Sequence, residues 1–418
     1  MHDKKTGVYV TKGNEMNILF LCTKFAMSES DGSLSNDLVA ALTQAGHRVT
    51  VICLEWSGTT RAEVKTLYGS ATILNIPVDL QRAAAWPHAI QKAYKWFLAS
   101  RNAISMVDAG LLEKHYDLFV GFSPASACFW LQKHLLKKFK IKKKYMILWD
   151  FFPRYHAELG LIPKGPVYWI AKYLESSAIR DFDTIGVMSQ ANISFFRKEF
   201  TSYRGNIEVL RLWGPQAVPP QGDSAIIRTQ YGLAQNSLIC IFGGQLIPGR
   251  GIELLLRLAD AVRTKLPNVF FVVAGKGPLE HYLTENLENG KHPNVRYLGQ
   301  LPREQYLQFL TICDIGLVFN SGTVTVPTFA SKTIDYLRAG KPILGAVEAN
   351  TDYSEILENE IKAGYSCVTT DIEQLIANLT ALCENPKMRQ EMGLNGRQYF
   401  NKYMTSPIIS NQITNSSS

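Results

Sequence analysis

Short apolar runs alternate with amphipathic stretches along most of the chain, and the alternation begins twice. Asn17–Cys22 (NILFLC) predicts a strand, and the polar stretch Ser28–Ser35 follows it. Leu38, Ala41, Leu42 and Ala45 then share one helical face, with Gly46 as the stop. Arg48–Leu54 predicts the next strand, and further strands are expected at Leu118–Gly121, Tyr145–Leu148 and Thr184–Met188. Strand, polar loop, helix, strand is the opening of a parallel α/β unit.

The pattern restarts after Arg211–Asp223 (RLWGPQAVPPQGD), whose prolines and glycines read as an interdomain linker. Leu238–Phe242 predicts a strand, Gly243–Gly251 a loop, and Ile252, Leu255, Leu256, Ala259 and Val262 a helix stripe. Strands are expected at Val269–Ala274, Val295–Leu298 and Ile315–Phe319. A helix over Lys332–Ala339 ends at Gly340, and Pro342–Gly345 leads another strand. Strands apolar on both faces belong to sheets covered by helices on both sides. The expectation is an α/β protein of two doubly wound, Rossmann-like domains facing across a cleft, with ligands beyond the carboxyl ends of the strands. The expected boundaries are a flexible leader at 1–15, a first domain at 16–210, a linker at 211–226, a second domain at 227–395, and a C-terminal helix and tail at 396–418 that returns to the first domain.

The length of 418 residues suits two cores better than one. No apolar run is long enough to span a membrane, and residues 1–15 lack the apolar centre of a secretory signal. The seven cysteines are scattered through apolar runs without a CxxC pair, which reads as buried free thiols of a cytoplasmic protein. The formal charge is +8, and Lys133–Lys144 (KHLLKKFKIKKK) holds seven lysines and one histidine. Such a run suits phosphorylated ligands or anionic lipid, and equally a solvated helix end. No helix-turn-helix, RRM or zinc pattern accompanies it, so nucleic acid is not an expected partner. With Ala83–Arg101, rich in aromatic residues, it makes an anionic membrane surface an expected partner; the alternative for those aromatics is core packing.

Three segments carry candidate chemistry. Gly243, Gly244 and Gln245 open a loop that closes with Arg250 and Gly251 before a helix, where backbone can approach a ligand and a permanent cation can meet an anion. Gly275 and Gly277 follow the strand VFFVVA, but Glu280 stands where a dinucleotide fingerprint needs a third glycine. Ser331 is placed to cap a helix starting at Lys332, with Asp335 one turn on and able to accept two hydroxyl hydrogen bonds. The first and third have plain alternatives, a tight turn with a surface arginine and a capped helix with an exposed Lys–Asp pair respectively, and the second is a weak signal for NAD. Asp150, at the end of the YMIL strand, is a candidate for orienting an acceptor or taking its proton, or else a turn residue before Pro153.

The order GGQLIPGRG, VVAGKGPLE, VRYLGQLPREQY, SKTIDYLRAGKPIL resembles the donor domain of glycosyltransferase family 4, which has the GT-B fold. DGSLSNDLVAALTQAGHRVTVI resembles that family's opening loop, which implies a donor contact at Gly32. MILWDFFPRYHAELG and TIGVMSQANISFF resemble its bacterial surface-polysaccharide subgroup, which includes amino-deoxyhexose transferases of O-antigen and capsule assembly. The resemblance covers roughly Met16–Tyr403. It implies a retaining transferase needing neither metal nor cofactor, with a nucleotide-diphosphate sugar (a UDP-sugar by the subgroup's habit) as donor. The implied acceptor is a polyprenyl-diphosphate-linked saccharide, reached from the inner face of the cytoplasmic membrane. It further implies that Arg250 and Lys332 hold the pyrophosphate, that Asp335 replaces a ribose-binding glutamate, and that backbone at Gly299, Gln300 and Leu301 meets the base. Asp150, Arg250 and Lys332 are the residues assigned to transfer itself. Three positions depart from the family: Pro327 replaces the first of two glutamates, Gln245 a basic residue, and Ser123 a histidine. A nucleotide-sugar epimerase and a non-catalytic partner protein are the rival readings.

Overall fold

The computed structural model describes residues 15–29, 33–55, 62–78, 85–86, 90–91, 94, 98–108, 112–216, 222–320 and 322–416. Gly32, residues 1–14 and much of Ala83–Arg101 therefore lie outside the described residues.

Two sheets organise the molecule. The first contains β1 (Asn17–Cys22), β2 (Arg48–Glu55), β3 (Glu63–Leu67), β4 (Ala71–Pro77), β5 (His115–Phe122), β6 (Lys140–Leu148), β7 (Thr184–Val187) and β8 (Asn206–Val209). Their order is β3-β4-β2-β1-β5-β6-β7-β8, parallel except for β3 against β4. The second contains β9 (Leu238–Gly243), β10 (Val269–Ala274), β11 (Val295–Tyr297), β12 (Ile315–Phe319), β13 (Ile343–Val347) and β14 (Gly364–Val368), in the order β11-β10-β9-β12-β13-β14. Every pairing in the second sheet is parallel.

Burial explains the strand positions. All six residues of β1 are buried, as are all five of β12 and of β13, because helices cover both faces. Chain order reverses between β1 and β5 in the first sheet and between β9 and β12 in the second. Such switch points leave a crevice at the strand ends where the outgoing loops diverge.

The chain passes between the sheets twice, and the two crossings are hydrogen-bonded to each other. The Gly214 amide donates to the Met404 carbonyl at 3.0 Å, and the Ser406 amide donates to the Gly214 carbonyl at 2.9 Å. The crossing at 210–214 is no solvated tether, because Leu210, Leu212 and Trp213 are buried and Trp213 Nε1 donates to the Leu34 carbonyl at 2.7 Å. Beyond it, Asp223 caps helix Ser224–Gln230 by accepting from the amides of Ala225 and Ile226. The last helix, Ser406–Ser416, buries Ile409 and Ile413 in the cluster around β1 and β2, while Gln412 and Ser416 bond Glu208.

Candidate active site

Register sets the heart of the site. Ala274 of β10 lies opposite Gly243 of β9, so the loops that follow leave at one level and pack backbone on backbone. The Gly244 amide donates to the Ala274 carbonyl at 3.0 Å, and the Leu246 amide to the Lys276 carbonyl at 3.0 Å. Gly275 has φ +155°, and a Cβ there would sit 1.8 Å from the Gly244 carbonyl oxygen; one at Gly277 would sit 2.4 Å from the Leu246 oxygen. The Gly275 amide donates to the Gly299 carbonyl at 2.8 Å, which draws in Gly299, Gln300 and Leu301. Gly244, Gln245 and Gln300 are open to solvent at this edge. Gly243 is corrected to a packing role: its amide donates to the Tyr336 hydroxyl, and Tyr306 covers the face where a Cβ would be.

Arg250 and Lys332 come together beside this edge. Lys332 Nζ lies 3.3 Å from the centre of the Phe242 ring, and its Cε borders Gly244. Burial, followed by the positive charge of Arg250, holds the Lys332 amine well below its ordinary pKa. No carboxylate forms an ion pair with either side chain among the described residues. Two cations that repel each other without a close counterion suit a strongly anionic ligand, whose binding would relieve the repulsion.

Two expectations for the neighbouring helix Lys332–Arg338 are corrected. Ser331 does not cap it: its own backbone is already helical and its side chain makes no capping bond. The amides of Thr333 and Ile334 are taken by the carbonyls of Ala330 and Ser331. Asp335 is neither an open carboxylate nor a partner of Lys332. Arg303 grips it at both oxygens, Nη1 to Oδ2 at 2.7 Å and Nη2 to Oδ1 at 2.6 Å. A ribose hydroxyl would have to share oxygens already bound to the guanidinium. Arg338 lies close by, only 4% exposed, with Nε and Nη1 lacking hydrogen-bond partners. Asp37, from the first domain's opening helix Leu34–Gln44, faces this group. Burial raises its carboxyl to about 6, against the pull of Arg303 and Arg338 and with the push of Asp335.

The first sheet contributes the opposite wall. Ser123 follows β5, and its hydroxyl accepts from the amides of Trp149 at 3.0 Å and Asp150 at 3.1 Å. It thereby fixes the chain just beyond β6. Asp150 reaches water but is surrounded by protein; this loss of bulk solvent raises its pKa, opposed by the charges of His156 and Arg250. Burial lowers the His156 pKa, and Asp150 opposes that. Tyr155 is raised by burial, with Arg250 opposing and Asp150 adding. The three residues assigned to transfer thus converge from two domains, with Asp150 and Lys332 each feeling the charge of Arg250.

Contacts from both domains hold the walls together. Glu158 accepts from the Thr325 amide at 2.7 Å and from its hydroxyl, and Arg154 donates to that hydroxyl at 3.3 Å. Asn192 donates to the Pro327 carbonyl at 2.8 Å, and Asp352 accepts from the Ala191 amide at 2.8 Å. Pro327 therefore sits in a loop used for docking the domains. Sequence reasoning missed Asp37, Tyr155, His156 and Arg303. The spacing Asp150–Tyr155–His156, around a turn and a short helix, was the available signal for two of them; Asp37 and Arg303 had none, since their partners are remote in sequence.

The lysine run is not a row of free cations. It passes from the end of helix Phe129–Lys138 into β6, and four of its lysines are paired: Lys133 with Asp181, Lys138 with Asp108, Lys142 with Asp117, and Lys144 with Asp183. Among the described residues, no helix is long and apolar enough to cross a membrane.

Residues 223–399 match the family model described as Glycosyl transferases group 1. The Probable glycosyltransferase WbjE of Pseudomonas aeruginosa is 23% identical over 246 residues, 58% of this chain and 60% of that protein. A Corynebacterium glutamicum protein, named GDP-mannose-dependent monoacylated alpha-(1-6)-phosphatidylinositol monomannoside mannosyltransferase, is 22% identical over 249 residues, 56% of this chain and 62% of its own. Both matches span less than two thirds of the relatives' length. The whole fold resembles sucrose-phosphate synthase of Thermosynechococcus elongatus, with a TM-score of 0.71 at 14% identity over 96% of this chain and 98% of that one. It also resembles Anabaena HepE in complex with UDP and glucose, with a TM-score of 0.67 at 14% identity over 96% and 99%. The two doubly wound sheets, the crevice between them and these matches make the fold GT-B, and residues 223–399 are the part that matches the Glycosyl transferases group 1 model.

Proposed function

We propose that the protein is a retaining glycosyltransferase that moves a hexose or amino-deoxyhexose from a nucleotide-diphosphate sugar, UDP-linked by preference, to a lipid-linked saccharide during surface-polysaccharide assembly. The observation that carries the reading is the pair of cations Arg250 and Lys332 at the strand ends of the group 1 domain, across from Asp150. The donor class is supported by the resemblance to HepE, a protein seen with UDP.

Transfer leaves negative charge on the departing phosphate and positive charge at the anomeric carbon. Arg250 and Lys332 are preorganised for the former. Asp150, held by the Ser123 hydroxyl, orients the acceptor hydroxyl and takes its proton; a raised carboxylate pKa makes it a better base. Without a second carboxylate assigned as nucleophile, departure and attack on one face of the sugar is the favoured course, and no metal enters it. Pro327, where the family pattern has a glutamate, is what favours the rival reading of a non-catalytic partner.

Thermal stabilisation against UDP, GDP, dTDP, CMP and NAD tests the donor site. One nucleoside diphosphate stabilises the wild type and fails with Arg250→Ala; no shift with any of them removes the assignment. A turnover assay with the matching sugar nucleotide then separates transferase from partner protein. Release of free epimerised nucleotide sugar without acceptor would identify an epimerase instead.

A further inference from the structure

Helix Pro166–Ile179 buries Ala171, Ala178 and Ile179 yet carries apolar side chains on its outer face as well. A surface helix normally shows charge to solvent and apolar residues to the core. Here Trp169 is 65% exposed and Tyr173 66%, with Val167 and Ile170 exposed beside them and Leu161 exposed just upstream. The helix's glutamate, Glu175, points inward at 0% exposure and accepts from the amides of Ala125 at 3.0 Å and Ser126 at 2.7 Å. Burial pushes its carboxyl up to about 7.

The charges around this face are asymmetric. Its acids are engaged: Asp181 with Lys133 and Gln132, Glu199 with Lys172, and Glu158 with Arg154. Lys164 before the helix, Arg180 at its end and Lys137 on the neighbouring helix are exposed and have no carboxylate partner among the described residues. An aromatic and aliphatic face rimmed by free cations fits the boundary of an anionic bilayer, where tryptophan and tyrosine settle at headgroup depth. Phe152, Ile162 and Ala171 form one small core, which fixes the helix to the segment bearing Asp150, Tyr155 and His156.

We infer that helix Pro166–Ile179, with Leu161, Lys164 and Arg180, is the surface by which the protein sits on an anionic lipid membrane. This deepens the reading of a lipid-linked acceptor and rests on it for one point only, that the face adjoins the acceptor wall; the contact with lipid stands without it. Apart from Lys137, the basic run is not needed for this surface, and neither is the aromatic segment before residue 101.

The test is co-flotation of the full chain with phosphatidylcholine vesicles, with and without phosphatidylglycerol, at low and physiological salt. The wild type is expected to float with the anionic vesicles, less so as salt rises. Trp169→Glu/Tyr173→Glu is expected to weaken this by at least about tenfold. Lys164→Gln/Arg180→Gln is expected to lose the preference for phosphatidylglycerol. Nucleotide-induced thermal stabilisation should be unchanged in both, which shows that they fold and separates failure here from failure of the donor reading. Unimpaired flotation of the aromatic variant, or no flotation of the wild type, overturns the inference. So does a wild-type dimer in ultracentrifugation that the aromatic variant abolishes, since a second copy would then cover the face.

Discussion

Lys332 carries an unusual burden for a lysine. Its amine lies against the Phe242 ring, only partly open to water, with Arg250 rather than an acid as its charged neighbour. A diphosphate bound between the two would favour the protonated amine. Binding above the depressed pKa must then take up a proton, and affinity must fall as pH rises through that pKa. Calorimetry in buffers of different ionisation enthalpy is expected to show this uptake for the wild type. It should be absent in Lys332→Arg, whose charge does not titrate. Arg250→Ala is expected to reduce turnover on the order of 100-fold if the guanidinium stabilises the leaving group; unchanged turnover and donor affinity would remove it from the mechanism. Asp335 shows how far a local reading reaches. Its position one turn into a helix was legible, but the residue that grips it, Arg303, stands 32 positions away on another helix. No pattern in the chain announces that fork, so an open carboxylate was the natural expectation.

At the scale of elements, the loops proposed to meet the donor phosphates are shaped by glycines that do different work. Gly243 admits Tyr306 and Tyr336, whereas Gly275 admits the backbone of the preceding strand's loop at Gly244. Gly275→Ala cannot be accommodated by moving a side chain, because the obstacle is the Gly244 carbonyl and the φ of +155° is itself strained for alanine. The expected outcome is loss of nucleotide-induced stabilisation by at least about tenfold in affinity, read by the same thermal assay. The last helix makes a separate prediction. Ile413 is fully buried in the first domain's core, so Ile413→Ala should cost roughly 2–5 kcal/mol in denaturant unfolding. A change below about 0.5 kcal/mol would mean that this helix is not seated there. The central strands were legible because burial on both faces leaves near-continuous apolar runs, as in NILFLC and VFFVVA. The hairpin of β3 and β4 was not, since β3 (EVKTL) is an edge strand with four of its five residues exposed.

Across the whole molecule, Asp37 of the first domain's opening helix lies in the field of Arg303, Asp335 and Arg338 of the second. Its folded pKa of about 6 lies above the ordinary 3.8, so the protonated form is the one that folding favours. That contribution is complete at low pH and is lost as pH rises through 6. Asp37→Asn is therefore expected to be more stable than the wild type at pH 8, by roughly 1–3 kcal/mol. The difference should close as pH falls toward about 4. Thermal unfolding at both pH values checks the sign; greater stability of the wild type at pH 8 would mean that the attraction of Arg303 and Arg338 outweighs desolvation.

The chain's own pattern determined the class of fold, the two-sheet plan and the loops proposed as the ligand site. These follow from short-range periodicity and from the rule that strand ends face the crevice. Tertiary structure alone decided which charged groups meet. It brought Asp37 into the field of the other domain's arginines and assigned Asp335 to Arg303. It also spent four lysines of the basic run on carboxylates and turned Trp169 and Tyr173 outward while Glu175 went in. Periodicity records how often a chain returns to one face; what that face then meets depends on residues far away in sequence, brought near by packing.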